Sequence, residues 1–470
     1  MGVTELGLRP DTAGTGGRRF HPAWAVAAAT FLALVGAAAF RATPGVLIDP
    51  LRAEFGWSVG TISLAIAINM ALFGLTAPFA AAMMERFGVR RVVVAALVVV
   101  AAGSGLTVFM TAAWQLVLCW GVLVGLGTGS MALSLVATVT GRWFTARRGL
   151  VSGVLTAGSA TGQLVFLPVV AVVSERYGWR PAALGVAAAA LAVVPFVLWR
   201  LRDRPSDLGV LPYGGAPEPA GLSATASSGA AGSGGATASG GAVGSGGATA
   251  SRGATASGGA AALALRTFVS AARVGPFWLL VGGFMICGAT TMGLLQPHFV
   301  PAAHDHGMPT TVAAGLLAVV GLFDLVGTVL SGYLTDRFDP RVLLCVYYVG
   351  RGLSLMLLPA LWGPVPGASM LSFIIFYGLD WVATVPPTLA LCRRYFGDSA
   401  PVVFGWVYAS HQVGAAIMAF AAGLLRDHLG SYDSAWYLGG GLCLVAAALS
   451  AGLRARPAPA STARGTSSAR

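Results

Sequence analysis

The chain has 470 residues, of which 56% are hydrophobic and 10% charged, with a mean hydropathy of +0.77 and a formal net charge of +12. Soluble domains carry roughly 25% charged residues, so this chain cannot cover a water-facing surface, and most of its exterior faces lipid. The positive balance does not indicate nucleic acid: the basic residues, all of them Arg, punctuate the ends of apolar runs instead of gathering into a patch.

Residues 1–22 are a polar tail without a signal-peptide cleavage pattern. Six apolar runs follow, at 23–47, 59–84, 92–111, 115–140, 150–173 and 182–198, and define a first six-helix bundle over 23–200. A linker occupies 201–275; within it 214–262 is almost entirely Gly, Ala, Ser and Thr, and is expected to be flexible coil. Six more runs, at 277–300, 311–334, 342–361, 369–391, 402–425 and 436–453, define a second bundle over 276–454, and 455–470 is a tail. About 20 residues cross a bilayer, and a segment alone in lipid must satisfy its own backbone hydrogen bonds. The expected fold is therefore an all-α integral membrane protein with twelve transmembrane helices in two six-helix bundles. With both termini cytoplasmic, 23 arginines fall on inside segments against four outside, Arg52, Arg176, Arg180 and Arg426. That asymmetry sets the expected topology, a multi-pass protein of the cell membrane.

The halves repeat. Ala81-x-x-x-Glu85-Arg86-Phe87-Gly88-Val89-Arg90-Arg91 and Gly332-x-x-x-Asp336-Arg337-Phe338-Asp339-Pro340-Arg341 each lie between two runs, their acids 251 residues apart. Arg142-Trp143-Phe144 and Arg394-Tyr395-Phe396 follow, 252 apart. Duplicated membrane halves suit alternating access. In the fourth run Gly121, Gly125 and Gly129 stand one turn apart, a pattern that lets helix backbones approach closely. Cys119, Cys287, Cys345, Cys392 and Cys443 fall in or beside apolar runs without metal-ligand spacing, and read as small apolar residues.

Ionisable groups inside lipid are costly, and each marks a candidate site. Arg351 in the ninth run is a candidate to hold an anion, since a guanidinium forks onto a carboxylate; the competing reading is a structural ion pair with Asp324 or Asp380. Arg41 in the first run either contacts substrate or snorkels to the interface. Tyr347, Tyr377, His411, Gln163 and Asn69 are further candidates for substrate contact, with Gln163 on a polar face shared with Ser152, Thr156 and Ser159; Gln296 and His298 are weaker ones. Asp324 and Asp380 are the candidate proton carriers. Removal of Arg351 is expected to abolish carboxylate uptake without unfolding the protein.

The two loop motifs resemble the signature of the major facilitator superfamily, Gly-x-x-x-Asp-Arg-x-Gly-Arg-Arg, with Ala81, Glu85 and Asp339 as departures. The resemblance implies a gating latch built from Glu85, Arg86, Arg90, Asp336, Arg337 and Arg341; the competing reading is topology-fixing loop charge. Phe144-x-x-Arg147-Arg148-x-x-x-x-Gly153-x-x-x-Ala157-Gly158-Ser159-x-x-Gly162, with Phe55-Gly56-Trp57-Ser58, is similar to the monocarboxylate transporter and oxalate/formate antiporter group. Arg41 lies within about a residue of the lysine that animal members carry. The Asp-x-x-x-Arg of those members is interrupted here: Asp324 is present, but Thr328 stands for the arginine. The superfamily's usual arginine of the fourth run is absent, with Gly121 near that place.

No enzyme constellation is present in the sequence, and no cofactor or metal is implied. The expected function is secondary active transport of a small organic anion, a mono- or dicarboxylate, coupled to protons, by a monomer in the bilayer without nucleic-acid partners. Proton-driven efflux of drugs or natural products is the alternative. A transport-inactive receptor or assembly protein on the same scaffold is the second.

Overall fold

The computed structural model describes residues 21–131, 133–215 and 256–453. The first half contains α1 (Pro22–Phe55), α2 (Val59–Phe87), α3 (Val89–Phe109), α4 (Ala113–Trp143), α5 (Arg148–Tyr177) and α6 (Trp179–Arg200). The second contains α7 (Gly275–Asp305), α8 (Thr310–Thr335), α9 (Pro340–Leu361), α10 (Ala368–Phe396), α11 (Ala400–Leu429) and α12 (Asp433–Ala451). Among the described residues, eleven of these helices are long and apolar enough to cross a membrane, and α5 adds a twelfth of 30 residues. Large apolar side chains cover the outer surface: Phe109 is 77% exposed and Val329 75%. Water would penalise that surface, and lipid accommodates it.

Local chemistry sets the helix ends. α2 passes into α3 through one residue, Gly88, at φ +90, and α5 into α6 through Gly178, at φ +89. Both conformations suit a residue without a Cβ. α1 runs eight residues beyond the apolar run predicted for it, to Phe55, where Gly56 turns left-handed and closes the helix on Arg52. Helix α10 is broken. Residues 381–384 form turns between the segments Ala368–Asp380 and Val385–Phe396, because Pro386 and Pro387 cannot accept a preceding helical register.

The stretch expected to be coil, 214–262, is entered at its far side by a helix, and the linker residues before it are ordered. Residues 201–215 pack against the first half: Asp203 accepts the Arg90 N–H at 2.9 Å, and Tyr213 bridges to Phe144 and exchanges backbone bonds with Trp143 and Thr145. Ala256–Ala271 is a helix, as its run of alanines favours. The Phe268 ring of that helix sits 4.8 Å from Trp406, whose indole donates to the Ala264 carbonyl. The predicted low-complexity centre, 216–255, lies outside the described residues, as do 1–20 and 454–470.

The two six-helix bundles face each other through α1 and α7, α2 and α11, and α5 and α8. These pairs meet from mid-membrane to the end opposite the chain termini, here termed the far end. At mid-height, backbone approaches backbone: a Cβ at Gly45 of α1 would lie 2.9 Å from the Pro297 carbonyl of α7.

Candidate functional site

Between the bundles lies a small, partly enclosed cavity. Pro44 of α1 and Ile66, Asn69, Met70 and Phe73 of α2 line it from the first half. Met292 and Gln296 of α7 and Gln412 of α11 line it from the second. Met292 sits in a π-helical stretch of α7, Ala289–Leu295, a local widening often associated with functional positions. Gln412 reaches the cavity because α2 offers it Gly74: a Cβ there would lie 2.6 Å from the Gln412 Cβ. The Asn69 amide is oriented by a 2.8 Å bond from Nδ2 to the Trp120 carbonyl, which leaves its oxygen as an acceptor. Gln412 is 1% exposed, and its Nε2 makes a 3.8 Å contact with the Met292 sulfur, a weak partner for an amide. Among the described lining residues none carries a charge; the polar groups are all amides.

The charged residues form a separate cluster inside the second half. Arg351 is fully buried. Its Nε donates to Asp380 Oδ2 and its Nη2 to the Asp380 carbonyl, both at 2.6 Å, with a longer bond to the Trp381 carbonyl at 3.4 Å and an Nη1 contact to the Cys287 sulfur at 3.1 Å. Asp324 accepts the Val382 N–H at 3.2 Å and the Thr328 hydroxyl at 3.1 Å. Ser331 donates to the Ala383 carbonyl at 2.5 Å. These groups satisfy the backbone that the break in α10 releases, which buried main chain requires. Asp380 Oδ1 is buried without a hydrogen-bond partner among the described residues.

Of the predicted substrate residues, Asn69 and the weaker candidate Gln296 line the cavity with described side chains. Arg351 is instead held on Asp380, the structural reading that its sequence also allowed. Its guanidinium neutralises a buried acid and caps two carbonyls, contacts that any replacement of Arg351 would remove. Tyr377 is buried beside it, its ring 5.9 Å from the guanidinium carbon and its hydroxyl donating to the Thr290 carbonyl at 2.9 Å. Tyr347 is half-buried on α9. His411 stacks on Tyr408 at 5.7 Å and lies 5.0 Å from Phe284. His298 is buried and bonds the Ala419 carbonyl at 2.9 Å. Arg41 occupies α1 one turn before Pro44, and Gln163 lies on α5; the side chains of both fall outside the described part of the molecule. Gly121, Gly125 and Gly129 serve packing, each against α2.

Among the described residues, the contacts of the loop motifs lie within their own halves. Glu85 pairs with Arg142 at 2.5 Å, the Arg86 guanidinium lies over Phe87, and Arg337 lies over Tyr333. Asp336 ends α8 as its C-cap. Arg341 binds Asp339 with two nitrogens and donates to the Leu453 carbonyl at 2.8 Å. That pairing holds the Asp339 carboxyl down at about 2. Gln412 and Met292 are lining residues that were not singled out from the sequence; the amide side chain inside an apolar run was the readable signal for the first, and nothing marked the second.

A sequence model of the Major Facilitator Superfamily matches residues 30–400, with a second match over 299–469. An uncharacterised MFS-type transporter of Bacillus subtilis, YcxA, is 24% identical over 416 residues, covering 87% of this chain and 90% of that protein. Monocarboxylate transporter 13 of Bos taurus is 25% identical over 405 residues, covering 85% of this chain and 82% of that protein. Among solved structures, a D-xylose–proton symporter aligns with a TM-score of 0.67 at 14% identity, covering 91% of this chain and 97% of that one. The inward-open, partially occluded xylose transporter XylE of E. coli aligns at 0.63 and 13% identity, over 91% and 97%. At such identities the structural likeness speaks to the fold.

Proposed function

The chain belongs to the Major Facilitator Superfamily, and from that premise we propose that this secondary transporter moves a small organic anion, a mono- or dicarboxylate, in company with protons. The binding place is the central cavity, where the two bundles meet and either end can in turn open to it. One placement carries the reading: Arg41 stands a single turn from Pro44 on α1, in a chain whose curated relatives include proteins named monocarboxylate transporters. Arg41 supplies the positive charge, and Asn69 and Gln412 read the remainder of the cargo through hydrogen bonds. Asp324 is the proton carrier, linked through the α10 break to the Arg351–Asp380 pair. Arg351, Tyr347, Tyr377, His411 and Gln163 take part when the bundles rock and that pair opens. Both termini face the cytoplasm, as the arginine asymmetry supports.

The test is uptake of radiolabelled mono- and dicarboxylates into proteoliposomes with an imposed pH gradient. Wild-type protein accumulates at least one of them, and Arg41→Gln abolishes that accumulation while its melting profile is unchanged. Accumulation by Arg41→Gln at the wild-type rate removes Arg41 from the site.

One observation favours a second reading, proton-driven efflux of uncharged drugs or natural products: Ile66, Met70, Phe73 and Met292 make the cavity mostly apolar. Resistance of expressing cells to apolar toxins, with no carboxylate uptake in proteoliposomes, selects that reading.

A further inference from the structure

At the far end, each half supplies a carboxylate that caps a helix of the other half. Asp427, near the end of α11, accepts the Val59 N–H at 2.9 Å and the Gly60 N–H at 2.6 Å, the first two amides of α2. Glu175, near the end of α5, accepts the Thr311 N–H at 2.8 Å, the second amide of α8. The two contacts are copies of each other. Asp427 follows Glu175 by 252 residues and Thr311 follows Gly60 by 251, the offsets that relate the repeated loop motifs.

The caps are needed where they stand. A helix start presents unpaired N–H groups and partial positive charge. In α2 the Ser58 side chain reaches only the Thr61 N–H, so the first two amides depend on the opposite half. In α8 the N-cap is Pro309, which has no side-chain acceptor. The packing is also shaped for the contact: a Cβ at Gly60 would lie 2.9 Å from Asp427 Oδ2, and one at Gly423 would lie 2.5 Å from the Ser63 hydroxyl.

We propose that Asp427 and Glu175 are paired gating residues that hold the far end of the transporter shut. The loop acids predicted to latch the halves, Glu85 and Asp336, stand at the other end, where Glu85 pairs with Arg142 of its own half and Asp336 ends α8. Both far-end carboxylates are solvent-exposed, so water can replace each amide as the gate opens, and the latch is reversible. The inference needs alternating access but no particular cargo.

The test measures far-end opening directly. Nitroxide labels at Ala53→Cys in the first half and Leu429→Cys in the second, with the five native cysteines replaced, report the distance by electron–electron resonance in nanodiscs. Asp427→Ala and Glu175→Ala each raise the long-distance population by about threefold, as expected for an exposed charged contact. The double variant raises it further, and Asp427→Asn falls between wild type and Asp427→Ala. Gly60→Ala displaces the same carboxylate without changing any charge and shifts the population in the same direction, which keeps the test decisive if Asp427→Ala fails to fold. Distance distributions in Gly60→Ala and in Glu175→Ala that superpose on wild type overturn the proposal.

Discussion

Arg351 grips Asp380 twice, through the carboxylate and through the main-chain carbonyl, at 2.6 Å each. The second bond falls where α10 stops being helical, so one side chain fixes both a charge and a hinge. A lysine has one ammonium on a flexible stem and cannot make both contacts in this geometry. The pair therefore belongs to the architecture of α10.

Breaking a buried pair strands the remaining charge, at a cost of about 3–5 kcal/mol. Arg351→Met and Asp380→Leu should each lower the melting temperature in detergent sharply, and Arg351→Lys should recover only part of the loss. Together, Arg351→Met and Asp380→Leu should lose less than the sum of the two, since neither charge is then left unpaired. Additive losses in that double-mutant cycle would show that the pair contributes nothing as a pair.

A second relationship explains a departure in the loop motif. Position 88 is Gly and its repeat partner, 251 residues on, is Asp339. Asp339 caps its own helix by accepting the Arg341 N–H at 3.0 Å. In the first half the equivalent amide, that of Arg90, is capped by Asp203 from beyond α6. A Cβ at Gly88 would lie 2.5 Å from that Asp203 carboxylate, so the residue that cannot cap makes room for the one that does. Gly88→Ala should destabilise by more than about 1 kcal/mol through its positive φ and the crowding, and Asp203→Ala by about 1 kcal/mol through the lost cap. Wild-type stability after Gly88→Ala, read by thermal melting, contradicts the arrangement.

The same cap gives a pH dependence. The folded Asp339 carboxyl titrates at about 2 against an ordinary 3.8. A depressed carboxylate contributes stability above its unfolded value and loses it as pH falls through the folded one. The melting gap between wild type and Asp339→Asn should be constant from pH 8 to 5 and narrow below about pH 4. A gap that instead changes between pH 8 and 6 assigns it to another group.

The bundles were legible because lipid imposes apolar runs of fixed length, and the duplication because loop charges between such runs stand out. The site was less legible. Arg351 and Asp380 lie 29 residues apart on neighbouring helices, and nothing in their spacing reveals that they meet. The tenth run, 369–391, reads as unbroken by hydropathy alone, although Pro386 and Pro387 lie within it, and the groups that satisfy the break, Ser331 and Asp324, come from another helix. The order of 201–215 was hidden for a similar reason: Asp203 is ordinary in sequence and acquires its role from a helix start more than a hundred residues earlier.

Gln412 of the cavity makes a separate prediction, because it is not tied into an ion pair as Arg351 is. Gln412→Leu removes an amide whose described contact is a weak one to a thioether, so stability should be little changed while KM for the cargo rises roughly tenfold, the equivalent of one hydrogen bond. Gly74→Ala should mimic it by pushing Gln412 from its place. An unchanged KM in both variants separates Gln412 from cargo recognition.

Proton coupling is best tested at Asp324, because Asp380 is tied to Arg351. An asparagine at 324 can still accept the Val382 N–H and the Thr328 hydroxyl through its amide oxygen, so the α10 break stays satisfied. What it cannot do is bind and release a proton. Asp324→Asn should therefore fold as wild type and exchange cargo across the membrane in counterflow, while uptake driven by a pH gradient falls to the level seen without one. Gradient-driven accumulation that survives in Asp324→Asn moves the coupling proton to another group.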